Sequence, residues 1–146
     1  MIQKMAPKCC QEDCFHLGVK ALLLSPEKKL LLLERNKRSY WDIPGGRLQK
    51  GASVLDTLKR EVEEETGFTQ INRINFFITT LTDIRIPTSS GDVGLIFSIF
   101  LCDISATFQP ILSDEHVNFG WFSPQEAVHK LQVQYPPDFI KLLTAL

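Results

Sequence analysis

Residues 60–68 read Arg-Glu-Val-Glu-Glu-Glu-Thr-Gly-Phe: four carboxylates within five positions and then a glycine, with a Gly45-Gly46 pair ending fourteen residues before Arg60. On a helix Glu61, Glu64 and Glu65 stand at i, i+3 and i+4, so they share one face within about 100° of arc while Glu63 points away. Like charges so placed repel by a few tenths of a kcal/mol per pair. A hard dication such as Mg²⁺ turns that repulsion into ligation, because it is held by carboxylate oxygens. The competing reading is a solvated acidic face, which any Glu-rich stretch can form.

The elements that must carry this face can be read from pattern. Ser53 is placed as an N-cap with Asp56 at the third helical position, and Gly67 as the glycine just past the end, so the pattern predicts a helix to about Thr66. Val54, Leu58 and Val62 give it a buried stripe beside the carboxylates. Upstream, residues 15–24 and 29–35 read as two strands joined by a turn at 25–28, a hairpin apolar on both faces and therefore covered on both. Residues 40–46, Tyr-Trp-Asp-Ile-Pro-Gly-Gly, form a turn with special backbone angles. Downstream, Ile74, Phe76, Ile78, Ile84 and Ile86 keep one parity with Thr80 and Thr82, predicting a long strand with one apolar face. A loop is expected at 87–92, then a central strand at 93–104 and a short strand at 119–122. Ser123-Pro124-Gln125-Glu126 is a capping box opening a helix to about Leu131, and a short helix closes the chain from 138. Strands and helices interleave as in an α/β sandwich with a mixed sheet between helices.

At 146 residues the chain has the length of one domain, and 44% hydrophobic with 23% charged residues is ordinary for a globular protein. A net charge of −1 offers no global attraction for nucleic acid, so any phosphate binding must be local. The longest apolar runs, at 21–24 and 30–33, are too short to span a bilayer, and no signal-like h-region follows the first residues. The expectation is a cytoplasmic protein with a small nucleotide as partner, no nucleic acid and no membrane; a homodimer is left open. Residues 1–14 are expected to be a mobile arm ahead of a domain at 15–146. That arm carries Cys9, Cys10 and Cys14, which with His16 are the beginnings of a zinc motif without a second ligand pair; reduced cysteines are the expected state.

The string from Gly46 to Phe68 resembles the signature box of the Nudix hydrolases, Gly-x5-Glu-x7-Arg-Glu-U-x-Glu-Glu-x-Gly-U, where U is aliphatic or aromatic. Gly46, Arg60, Glu61, Val62, Glu64, Glu65, Gly67 and Phe68 match. At roughly 5–7% usage per residue type, six fixed matches arise by chance on the order of once in 10⁷ start positions. Ala52 departs, standing where the box has its first glutamate. In the family that residue supports the arginine; Asp56, at i−4 from Arg60, is the expected substitute.

The resemblance implies the family's α/β/α sandwich over residues 15–146 and a hydrolase that uses Mg²⁺, or Mn²⁺ in its place, to cleave a diphosphate bond in a nucleoside diphosphate derivative. It makes Glu64 and Glu65 metal ligands and Glu61 a third ligand or the residue that orients the water. Arg60 belongs to the catalytic group, and Gly46 lets the loop approach the metal. Glu115, beside Asp114 in a polar loop, sits where family members carry a further ligand or base; two ordinary loop acids are the alternative. Arg35 and Arg47 are candidate phosphate contacts because guanidinium binds phosphate bidentately. Trp41, otherwise a core aromatic, could stack a base. Tyr135-Pro136-Pro137-Asp138 resembles the base-pocket stretch of MutT-like members, with Asp138 placed to accept from a guanine-like edge. The expected substrate is a nucleoside triphosphate, normal or oxidised, giving monophosphate and pyrophosphate. Residues 82–86 lack the proline of ADP-ribose hydrolases and the tyrosine of dinucleoside polyphosphate hydrolases, though Pro87 lies just beyond. ADP-ribose or nucleotide-sugar hydrolysis is the rival activity, and a catalytically decayed nucleotide sensor is the rival class.

Overall fold

Leu30–Leu33 are apolar at every position and residues 19–24 nearly so, a pattern that only strands covered on both faces can bury. The computed structural model describes residues 11–36 and 40–146, and both runs are strands: β1 (Phe15–Leu24) and β2 (Leu30–Arg35). They are followed by β3 (Trp41–Asp42), β4 (Gly45–Arg47), α1 (Val54–Thr66), β5 (Arg73–Thr88), β6 (Gly91–Asp103), β7 (His116–Phe122), α2 (Pro124–Leu131) and α3 (Pro137–Thr144).

Alternation along β1 and β2 sends side chains to two separate cores. Leu22, Leu30 and Leu32 pack with Ala127, Leu131, Phe139 and Leu143 of α2 and α3. Val19, Ala21, Leu23, Leu31 and Leu33 pack with Leu58 and Val62 of α1 on the other face. Each fully buried leucine contributes roughly 1.5–3 kcal/mol relative to exposure. The result is an α/β/α sandwich around a mixed sheet, in which β1 runs parallel to β6 and the other pairings are antiparallel.

The expected hairpin is corrected by the structure. β1 and β2 pair only at Leu24↔Leu30. Beyond that point they diverge, β1 taking β4 and β6 as neighbours and β2 taking β3 and β7. Apolar faces alone cannot distinguish a closed hairpin from a split one, since both bury the same side chains. The split opens the cleft described below.

β5 also departs from its expected pattern. Its register on β6 shifts between Phe76 and Ile78 and again between Leu81 and Arg85. Each extra residue reverses parity. Phe76 is consequently turned away from the face of Ile78 and 63% exposed, whereas Thr80 and Thr82 keep the expected parity with Ile78 and are buried. The loop expected at 87–92 is a tight hairpin turn, with Thr88 paired to Gly91 and Pro87 to Asp92. Proline is tolerated there because β5 lies at the sheet edge.

Of the N-terminal arm, residues 1–10, including Cys9 and Cys10, lie outside the described residues. Asp13 forms an ion pair with Arg85 at 2.5 Å, and the Gly94 N–H donates to the Cys14 carbonyl at 2.8 Å. Cys14 is exposed and Cys102 is buried in β6. No helix among the described residues is long and apolar enough to cross a membrane.

Candidate functional site

Helix α1 starts and stops where its caps dictate. The Ser53 hydroxyl accepts from the Asp56 N–H at 3.1 Å, and Gly67 takes the left-handed conformation at φ 76° while its N–H bonds the Glu63 carbonyl. Between the caps the buried stripe sets the rotation of the helix, and rotation sorts the carboxylates. Glu65 is buried, Glu61 is half-buried, and Glu63 and Glu64 are exposed.

Glu65 points at the turn between β3 and β4. The Gly45 N–H donates to its Oε1 at 3.1 Å. Burial pushes the Glu65 carboxyl up to about 7, opposed by Lys20 and by the Gly45 hydrogen bond. Glu61 lies against the next residue: a Cβ at Gly46 would sit 2.4 Å from its Cδ. Only glycine leaves room for that carboxylate on the loop. Burial raises the Glu61 pKa against the pull of Arg60, with Glu64 and Glu115 adding to the rise.

Arg60 does not pair with Asp56. Its Nη1 lies 3.1 Å from Glu61 Oε1 and 3.2 Å from Glu64 Oε1. The i, i+4 geometry allows either acid, but Glu64 also offers a second oxygen at 3.3 Å and Glu61 lies beside it.

Among the described residues no three His, Cys, Asp or Glu side chains converge as a ready metal cage. The donor set nonetheless fits a Mg²⁺ ion, which is content with one or two carboxylates and completes its shell from water and substrate phosphate. Glu61 and Glu65 meet the loop at adjacent glycines, and the space a Gly46 side chain would fill is already given over to a carboxylate. Glu64 joins them only by leaving Arg60.

The splitting of β1 from β2 makes the facing cleft, about 740 Å³ in volume. Gly45, Gly46, Arg47, Asp114 and Glu115 line it together with the apolar Leu95 and Phe97 and with Tyr135. Arg35 stands in it as well, its Nε 3.4 Å from Asp42 Oδ2 and its Nη1 3.5 Å from Glu115 Oε2. Burial works against the Arg35 charge, but Asp42, Tyr40 and Glu115 outweigh it and raise the pKa. The loop bearing Glu115 is fastened to the same strand end, since Asn36 donates its side-chain amide to the Asp114 carbonyl at 2.5 Å and its N–H to the Glu115 carbonyl at 3.1 Å. Arg47 is exposed, with Nη1 3.5 Å from His16 Nδ1.

The structure therefore gathers Gly46, Arg35, Arg47 and Glu115 in one cleft, with Glu61 and Glu65 meeting its glycine rim. Two of the candidates read from sequence stand elsewhere. Trp41 faces an adjoining cavity, edge-on to Phe122 at 5.2 Å with Lys130 Nζ 4.7 Å above its ring. Asp138 lies in the first turn of α3, its Oδ1 accepting from the Phe139 N–H at 2.8 Å and the Thr80 hydroxyl at 2.5 Å.

Sequence reasoning missed Lys20 and Asp42. Lys20 is 5% exposed, and its Nζ lies 3.2 Å from both Asp42 oxygens on the cleft floor. Asp42 also accepts from the Tyr135 hydroxyl at 2.5 Å and from its neighbour Ile43 N–H. Burial pushes its carboxyl up, yet Lys20, Tyr135 and Arg35 together hold it below the usual carboxylate value. The available signal was a lone lysine inside a strand apolar on both faces, a position that demands a buried partner.

Comparison with known proteins agrees with the box. Residues 15–143 match the model of the NUDIX domain. The chain is 44% identical over 50 residues to the uncharacterized Nudix hydrolase YvcI of Bacillus subtilis, 34% of this chain and 32% of that protein. It is 28% identical over 93 residues to nucleoside triphosphatase NudI of Escherichia coli K12, 61% of this chain and 65% of that protein. The matches thus span less than two thirds of these relatives' own lengths. In fold, it superposes on the E. coli dihydroneopterin triphosphate pyrophosphohydrolase with a TM-score of 0.73 at 16% identity, covering 91% of this chain and 97% of that one. With that domain model matched along almost all of the sandwich, the chain belongs to the Nudix family.

Proposed function

We propose that this chain is a pyrophosphohydrolase that cleaves a nucleoside triphosphate, normal or oxidised, to monophosphate and pyrophosphate with Mg²⁺, or Mn²⁺ in its place. The observation that carries the reading is the meeting of Glu61 and Glu65 with Gly46 and Gly45 at the rim of a cleft that also holds Arg35 and Arg47. A bound dication would supply a nucleophilic water and neutralise charge on the phosphoryl oxygens. Glu61, Glu64 and Glu65 are the residues to hold it.

The chain's own groups divide the remaining work. Arg35 and Arg47, both lining the cleft, orient the phosphates, as guanidinium forks do for tetrahedral anions. Glu115 lines the same cleft and would take a proton from the attacking water or extend the ligand set. Leu95, Phe97 and Tyr135 offer the base apolar and aromatic surface in the cleft. That NudI is named a nucleoside triphosphatase supports the substrate class.

The test is Glu64→Gln, which removes the charge and keeps the shape. Nearly complete loss of metal-dependent turnover with an unchanged melting curve supports the assignment; turnover close to that of the unsubstituted protein sinks it. One observation favours a second reading, a nucleotide sensor that no longer turns over: Arg60 sits on two of the three candidate metal-binding carboxylates while Ala52 offers it nothing. Nucleotide binding without release of pyrophosphate would select that reading.

A further inference from the structure

Lys20 occupies the centre of β1, in a sheet whose two faces are both covered, and a cation is placed there at a desolvation cost of several kcal/mol unless it is well paired. Its ammonium reaches three acceptors: both Asp42 oxygens at 3.2 Å and the Ile43 carbonyl at 3.4 Å. Its stem serves as well. Lys20 is the register partner of Gly45, and a Cβ at Gly45 would come within 2.6 Å of Lys20 Cδ and 2.2 Å of the Val19 carbonyl oxygen. The turn from Asp42 to Gly45 is thus laid flat on one lysine, by its acceptors at the front and by close backbone approach at the back. The last amide of that turn is the Gly45 N–H, which donates to Glu65.

We propose that Lys20 is a positioning residue for Glu65: by clamping the 42–45 turn it aims the Gly45 N–H at the Glu65 carboxylate and fixes that carboxylate at the glycine rim of the cleft. The proposal rests on the reading of Glu65 as a metal ligand. Lys20 lines the cleft, but its ammonium is turned onto Asp42 and the Ile43 carbonyl. Its effect runs through a backbone amide, as outer-shell groups act on the ligands they orient. Asp42 is the necessary partner, because it satisfies two of the three ammonium protons.

The test uses the full chain with Mn²⁺ alone as the probe, in Lys20→Met and in the double variant Lys20→Met with Asp42→Asn. The double variant removes both charges together and so leaves no stranded carboxylate in the floor. In both, Mn²⁺ affinity measured by calorimetry is expected to fall by about tenfold or more, and the Gly45 amide is expected to exchange with solvent faster, while the melting curve still shows a cooperative fold. Unchanged Mn²⁺ affinity and unchanged Gly45 exchange in a folded variant would overturn the proposal. Should Lys20→Met fail to fold, the double variant decides; failure of both would make Lys20 a residue of the fold alone and overturn the assignment equally. Absence of Mn²⁺ binding in the unsubstituted protein would count against the metal reading itself, whereas Gly45 exchange would still report whether Lys20 holds the turn.

Discussion

Gly46 and Glu61 occupy the same space in turn: a Cβ on the glycine would lie 2.4 Å from the glutamate Cδ and Oε1. The carboxylate can rest on the loop only because the loop has no side chain there. Gly46→Ala should therefore expel Glu61 while leaving the fold intact, since Gly46 is not among the glycines at positive φ. A displacement of about 1 Å at such a site costs on the order of a hundredfold in rate. Turnover of the variant, read beside its circular-dichroism melt, checks this; full activity would mean that Glu61 works from another position.

Glu65 is 5% exposed and has one hydrogen-bond donor in the Gly45 N–H. Its carboxyl is raised to about 7, so the metal-free folded state holds a proton that the unfolded chain has already lost above pH 4.5. That stability is present below pH 4.5 and lost as pH rises through about 7. Glu65→Gln removes the slope, and in chelator at pH 8 it should stabilise the protein by on the order of 3 kcal/mol while abolishing metal-dependent turnover. Melting temperatures of both proteins at pH 5 and pH 8 test it: parallel pH profiles would contradict the burial argument.

Arg60 bridges Glu61 and Glu64, and Ala52 leaves it no acid at the other end of the box. A glutamate restored at Ala52 should draw Arg60 away and free both carboxylates. The expected result is a modest rise in turnover and in Mn²⁺ affinity. A large rise, or no activity in either protein, would favour the sensor reading.

Arg35 donates to Asp42 and Glu115 from within the cleft. Arg35→Ala should weaken nucleotide binding by the worth of a charge-assisted contact, about 1.5–3 kcal/mol, or roughly ten- to a hundredfold in KM. Mn²⁺ affinity without nucleotide should be unchanged. A fall in metal affinity with no change in KM would move Arg35 from the phosphates to the metal site.

Much of this was legible in the sequence because local rules agreed with the fold. The Ser53 cap, the Gly67 stop and the Ser123–Glu126 capping box stand where their residue types put them. The strand pair 15–24 and 30–35 was visible, but its splitting was not, because side-chain polarity reports which faces are covered and not which strand lies alongside. The parity of β5 failed at Phe76 for a related reason: the bulge at Phe77 is invisible to a period-two pattern and turns Phe76 outward. Glu61, Glu64 and Glu65 were readable as one helical face, yet their grading from buried to exposed depends on how Leu58 and Val62 seat α1 on the sheet. Lys20 and Asp42 lie twenty-two residues apart and meet only through the tertiary fold.

The most direct test of the account is release of phosphate or pyrophosphate, in Mg²⁺ and in chelator, from a panel of nucleoside triphosphates, ADP-ribose, nucleotide sugars and dinucleoside polyphosphates. Mg²⁺-dependent pyrophosphate release confined to nucleoside triphosphates is the expected result. Silence across the panel while nucleotide still raises the melting temperature would contradict it and leave a binding module in place of an enzyme.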